Sequence, residues 1–89
     1  KAAVVALTQT LSILLGRSGI RVNAIAPGLV FSPKVAENFG GAYVERHLGY
    51  TALGKFATLE DEAEGIAFFL EPQSDSISGE VLRVSAGTR

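Results

Sequence analysis

Cysteine, methionine and tryptophan are absent from these 89 residues, and histidine occurs once, as His47. Without cysteine there is no disulfide framework and no thiolate metal site, a composition that suits a reducing cytoplasm; no metal is expected. An excess of charge of one sign is missing too, since eight basic and nine acidic side chains leave −1 at pH 7. A nucleic-acid partner would call for a basic stripe, and Lys34, Lys55 and the scattered arginines form none. Nor is there a long apolar run. The most apolar stretch, residues 2–16, falls short of the roughly 20 residues of a membrane span and contains Thr8, Gln9, Thr10 and Ser12. Only Lys1 stands before it as a basic residue, so it does not read as a secretion signal. The remaining class is a water-soluble globular segment with no membrane partner, 47% hydrophobic and 19% charged.

The most informative stretch runs from Ile20 to Gly28. Ile20, Val22 and Ala24 alternate with polar residues, the period of a β-strand, which predicts a strand over 20–26. Pro27 cannot donate to a ladder and Gly28 tolerates any φ, so the strand is expected to stop there. A helical run over 2–16 precedes it, and a second helical run followed by a strand over 80–85 comes after it. Helix, strand, helix, strand is the rhythm of an open α/β sheet whose two strands pair in parallel, with ligands at the carboxyl ends of the strands. Pro27-Gly28 is such an end.

The first helix has no charged face. Val4, Leu7, Leu11 and Leu14 form one stripe, expected to pack on the sheet. Ala2, Ala6 and Ile13 lie beside it, and Val5, Thr8, Ser12 and Gly16 make a small, uncharged remainder. Its outer side therefore meets either another chain or another layer of its own. The second helix is signalled by Thr58 as N-cap with Asp61 three residues later, and by Glu60, Asp61 and Glu62 in the first turn, where the helix dipole favours negative charge. Ala63, Ile66, Ala67 and Leu70 form its expected apolar stripe, flanked by Phe68 and Phe69, and Pro72 stops it. Capping accounts for the acidic run without invoking acid–base chemistry.

Between Pro33 and Tyr50 the pattern loosens around Gly40-Gly41. Val35, Ala36, Phe39, Tyr43, Val44 and Leu48 are apolar enough to line a pocket but too irregular for a core helix. The glycine pair is not a phosphate loop, because no strand leads into it and no Lys-Ser/Thr follows.

Several of these stretches resemble, in order, the second half of a short-chain dehydrogenase/reductase. They are Lys1-Ala2-Ala3 before an apolar helix, Arg21-Val22-Asn23-Ala24-Ile25-Ala26-Pro27-Gly28, Leu53-Gly54-Lys55-Phe56-Ala57-Thr58-Leu59-Glu60-Asp61, and Ile77-Ser78-Gly79-Glu80-Val81-Leu82-Arg83-Val84. The resemblance implies that residues 1–89 form the C-terminal segment of one Rossmann-type, doubly wound parallel α/β domain. It also implies an NAD or NADP cofactor and hydride transfer between nicotinamide and a carbonyl or alcohol substrate, with a 3-oxoacyl-type compound as one candidate. Residues 33–50 would be the substrate lid, for which an ordinary mobile loop is the alternative. Lys1 would be the catalytic lysine that lowers the pKa of a tyrosine three residues upstream and contacts the nicotinamide ribose. Pro27, Gly28 and Val30 would form the turn that holds the nicotinamide carboxamide, and Ser32 would stand for the family's usual Thr at a further cofactor contact.

The resemblance likewise implies what these residues do not carry: the glycine-rich pyrophosphate turn and the family's catalytic Ser and Tyr. The expected partners are the N-terminal part of the same enzyme and further copies in a dimer or tetramer, with the first helix at a subunit interface. Neither Tyr50 with Lys55 nor Tyr43 with His47 replaces the missing pair, the first being one residue too far apart and the second having the wrong base. His47 is expected at the surface beside Arg46. Ser85-Ala86-Gly87 stands where Asp-Gly-Gly is usual, a departure expected to lie away from the cofactor turn. A different class of function, a non-catalytic Rossmann-like interaction module, is distinguished from the enzyme by the sequence upstream of Lys1.

Overall fold

The computed structural model describes residues 2–88, and for Val35 and Ala36 the backbone alone. Lys1, the expected catalytic lysine, and Arg89 lie outside the described residues. Helix α1 (Ala2–Gly16) leads to strand β1 (Ala24–Pro27), helix α2 (Pro33–Leu48), helix α3 (Leu59–Leu70), a 3₁₀ turn at Pro72–Ser74 and strand β2 (Val81–Val84). The strands pair in parallel, Ala24 opposite Val81 through to Pro27 opposite Val84. The α/β class and the parallel pairing expected from the sequence are both present.

Both strands are shorter than the alternation predicts. Residues 20–23 do not join a ladder, because side chains take their bonds instead. Val22 donates its N–H to Ser78 Oγ (3.1 Å), Asn23 Nδ2 donates to the Ile77 carbonyl (3.0 Å), and Glu80 N–H donates to Asn23 Oδ1 (3.0 Å). Gly79, in the left-handed region at φ 79°, turns the facing segment so that its N–H reaches the Val22 carbonyl at 2.7 Å. Pro27, expected to end the strand, is its last residue. The next ladder bond is made by Gly28 N–H to the Val84 carbonyl (3.1 Å), so the donor that proline lacks is not required.

The expected helix stripes are not the ones that meet the sheet. In α1, Val5, Thr8, Leu11, Ser12 and Leu15 are buried or half-buried. Val4, Leu7 and Leu14, three of the four residues expected to pack, are 56%, 56% and 66% exposed. The reason is steric. A Cβ built on Gly79 would lie 2.8 Å from Ser12 Oγ, so the helix approaches the loop before β2 through its small residues. Thr8 can be buried there because its hydroxyl donates to the Val4 carbonyl (2.7 Å). In α3 the contact centres on Gly65, where a Cβ would lie 2.9 Å from Val84 Cγ2 and 3.3 Å from Ile25 Cδ1. Glu62, Gly65, Ala67 and Phe69 are half-buried, while the expected stripe residues Ala63, Ile66 and Leu70 are exposed. The N-cap is as expected, with Asp61 N–H on Thr58 Oγ1 (3.0 Å) and Thr58 N–H on Asp61 Oδ2 (2.9 Å). The Thr58 amide, then its hydroxyl, and then Lys55 hold the Asp61 carboxyl below its usual value.

Among the described residues, Ala57 is the one buried apolar side chain; the other buried residues are Thr8, Thr51, Ser74 and Ser85. The exposed surface is 6311 Å², whereas a compact monomer of this mass exposes about 5,000 Å². The radius of gyration is 15.7 Å, against about 12 Å for a compact domain of this length. A two-stranded sheet with apolar residues outside on both helices has too little burial to offset the entropy of ordering the chain. The 89-residue chain by itself is therefore expected to melt without a cooperative transition, followed by circular dichroism on material shown by sedimentation to be monomeric. A sharp two-state melt would contradict this.

Candidate functional site at the strand ends

The parallel strands end side by side, and three segments converge there. The first is the turn after β1. Pro27 is exposed, while Gly28, Val30 and Ser32 are half-buried along the stretch that carries the chain into α2. Val30 forms an isolated parallel bridge with Ala57, which anchors this stretch to the segment that caps α3. Phe31 stacks on Phe56 with ring centres 6.0 Å apart. All four expected cofactor-turn residues within the described part thus lie on one anchored stretch at the sheet's carboxyl edge, the position at which open α/β folds bind ligands.

The second segment is the tail after β2, and its place corrects an expectation. Ser85, read as remote from the cofactor turn, packs directly against it. A Cβ built on Gly28 would lie 2.8 Å from Ser85 Cβ, 2.9 Å from Ser85 Cα and 3.3 Å from Thr88 Oγ1. Gly28 is therefore required by contact with protein. Ser85 is buried, accepts from Thr88 Oγ1 at its carbonyl (2.7 Å) and closes a tight turn. Ala86, at φ 54°, and Gly87, at φ 74°, are both left-handed in that turn. Alanine in that region carries strain that glycine does not. The turn is clamped from its far side by Ala52 N–H on the Gly87 carbonyl (2.9 Å) and Leu53 N–H on the Ala86 carbonyl (3.1 Å).

The third segment is the stretch expected to form a lid. Within residues 33–50, read as too irregular for a core helix around Gly40-Gly41, Pro33–Leu48 is helical as α2, in two pieces joined at Gly40, whose φ of 75° and ψ of 173° are not helical, and none of its described side chains is fully buried. The glycine pair breaks the helix without unwinding it. Phe39, Tyr43 and His47, four residues apart, bring their rings onto one face, with centres 4.6 Å and then 4.0 Å apart, and Tyr50 meets His47 edge-on at 6.2 Å. His47, expected at the surface, is half-buried inside this ladder, with Nδ1 3.0 Å from the Tyr43 carbonyl. Sequence spacing held the signal, but Gly40-Gly41 obscured it.

The acidic run of α3 also divides. Asp61 caps and Glu60 is exposed, but both carboxylate oxygens of Glu62 are buried with no hydrogen-bond partner among the described residues. Burial, and then the neighbouring Asp61 charge, raise the Glu62 pKa above its usual value. Capping does not account for all three acids, contrary to the expectation from sequence. No group of three or more metal-ligating side chains occurs among the described residues, and no helix there is long and apolar enough to cross a membrane.

A family model described as enoyl-(acyl carrier protein) reductase matches residues 1–89. Short-chain reductase protein NovJ from Streptomyces niveus is 37% identical over 93 aligned positions, which cover 98% of this chain and 36% of that protein. A (3R)-3-hydroxyacyl-CoA dehydrogenase from Canis lupus familiaris is 32% identical, with 98% and 33% covered. Among solved structures, a 3-oxoacyl-[acyl-carrier protein] reductase from Brucella melitensis superposes with a TM-score of 0.91 at 25% identity, covering 98% of this chain and 32% of that one. A hydroxysteroid dehydrogenase from Escherichia coli superposes at 0.86 with 29% identity, covering 98% and 35%. The chain spans about a third of the length of the relatives it matches. With a family match along its whole length and a Rossmann-type structural likeness, this chain belongs to the short-chain dehydrogenase/reductase family.

Proposed function

We propose that this chain supplies the nicotinamide-side turn and the substrate lid of an NAD(P)-dependent oxidoreductase that interconverts a carbonyl and an alcohol. The observation that carries this reading is the anchored stretch from Pro27 to Ser32 at the paired strand ends, leading straight into α2. The ledge fits a flat ring. Exposed Pro27 gives an apolar surface, and half-buried Val30 and Ser32 carry the backbone and the hydroxyl that the proposed contacts use. Gly28 N–H is committed to Val84, so pairing with a carboxamide falls to the backbone beyond it, at Val30. When bound, the nicotinamide supplies or accepts the hydride. Lys1 is the proposed catalytic residue. Its ammonium lowers the pKa of a tyrosine upstream of this chain and holds that hydroxyl ready to give a proton to the alkoxide.

The acyl carrier and acyl-CoA names among the relatives, together with the apolar lid, favour a 3-oxoacyl-type substrate. The proposed partners are the N-terminal part of the same enzyme and further copies of it in a dimer or tetramer. Exposed Val4, Leu7, Ile13 and Leu14 on α1 are the surface they would cover. The proposed location is the cytoplasm, in keeping with a cysteine-free chain.

In the full-length enzyme, Lys1→Ala is expected to cut turnover on the order of 10²–10⁴-fold with little change in melting temperature. Near-normal turnover would remove Lys1 from the chemistry. Gly28→Ala is expected to cost about 1–3 kcal/mol through overpacking against Ser85, with part of the loss recovered when Ser85→Gly is added. Calorimetric titration of NAD(H) and NADP(H) into the Gly28→Ala and Ser32→Ala variants reads the cofactor role. Weakened binding supports the turn as a cofactor site, and parental affinity in both would make it purely structural.

A further inference from the structure

Glu62 is unusual among the acids of this chain. Both of its carboxylate oxygens are out of contact with water and neither has a hydrogen-bond partner among the described residues, an arrangement that disfavours the charged form. Its place on α3 explains the burial. Gly65, one turn further on, is the point at which the helix touches Val84 and Ile25, and side chains three residues apart share a helix face. Glu62 is therefore on the sheet side, in the turn that follows the Thr58–Asp61 cap and the Ala57–Val30 bridge.

The charged groups on the surrounding elements do not relieve it. On α3, Asp61 bonds the Thr58 amide and adds like charge, while Glu60 and Glu64 are exposed. In the preceding loop, the electrostatic partner of Lys55 is Asp61. On β2, Arg83 donates to the Thr88 carbonyl (2.8 Å). β1 carries no ionisable side chain, and Arg21 ahead of it is engaged with carbonyls in the last turn of α3 and beyond it. The 3₁₀ turn has none, and Asp75 beyond it is exposed.

We propose that Glu62 keeps its proton in the folded enzyme and makes the seating of α3 on the sheet a pH-sensitive contact. When the proton leaves, an unpartnered charge faces the sheet, and the first turns of α3 are pushed toward solvent. The root of the lid is bound to that end of α3 through Ala57 and Val30, so it loosens with them. Because the group holds its proton more tightly when folded, its contribution to stability is fully present below the ordinary glutamate value of 4.5 and falls as pH rises through the higher folded value. This inference rests on the fold and not on the proposed cofactor role.

The test is thermal unfolding of full-length parent, Glu62→Gln and Glu62→Leu enzymes between pH 4.5 and 9. The parent and Glu62→Gln should melt together near pH 4.5 and separate as pH rises, with the glutamine enzyme increasingly the more stable and Glu62→Leu following it. Parallel curves would overturn the proposal by showing that folding leaves the Glu62 proton no more tightly held, and a parent more stable than Glu62→Gln at neutral pH would overturn it by showing that the carboxylate is charged and has a partner. If a variant does not fold, the carboxyl ¹³C shift of Glu62 in the parent reads the same titration. A midpoint clearly above 4.5 supports the proposal, and one at or below 4.5 overturns it.

Discussion

The guanidinium of Arg21 holds the two halves of this chain in register. Nη2 donates to the Phe69 carbonyl (2.6 Å), and Nη1 donates to the carbonyls of Ser74 (2.8 Å) and Ile77 (3.3 Å) and to Ser74 Oγ (3.2 Å). Charge-assisted bonds of this kind contribute on the order of 1.5–3 kcal/mol each. Between them they gather the end of α3, the 3₁₀ turn and the approach to β2 onto the approach to β1. Lysine, a single point charge, could not span three carbonyls on different elements. With that knot tied, Asn23 and Gly79 align the segments, the ladder follows from Ala24 opposite Val81, and Gly28 arrives opposite Val84 and Ser85. The geometry of the candidate site is thus set at the opposite end of the sheet.

A second constraint acts through small residues. α1 meets the loop before β2 at Ser12 and Gly79, and α3 meets the sheet at Gly65. Both helices approach closely at these points, so the larger side chains on each are turned aside. On the α3 side, Ile66, Phe69 and Leu70 line a groove with Arg21, Asn23 and Ile25, beside the edge of β1 away from β2. On the α1 side, Val4 and Val5 line another with Ala24, Ala26 and Pro27. Among the described residues the outer edge of β1 carries no further strand, an edge that open sheets normally cover.

Much of this was legible in the sequence, for identifiable reasons. Element order followed from the period of alternation around Val22 and Ala24 and from the Thr58–Asp61 cap, both of which are local signals. The contact faces of the helices were misread because hydrophobic stripes mark where apolar residues are, whereas close packing is decided by where bulk is missing. Residues 33–48 read as only weakly helical because Gly40-Gly41 interrupts them, although the spacing of Phe39, Tyr43 and His47 encoded the aromatic face of α2. Two features of the site had no local signal at all. Ser85 reaches Gly28 only through strand pairing, and Glu62 resembles its capping neighbours until the sheet contact at Gly65 shows which way it faces.

In the proposed function, the turn from Pro27 to Ser32 and the helix that follows it face the cofactor in the full-length enzyme. Amide hydrogen exchange of the full-length protein, with and without saturating NADPH or NADH, tests it most directly. Binding should slow exchange across residues 28–50, while the amides around Ser74 and Ile77, where Arg21 ties the chain, should change little. Protection confined to other parts of the protein, with residues 28–50 exchanging as before, would contradict the account.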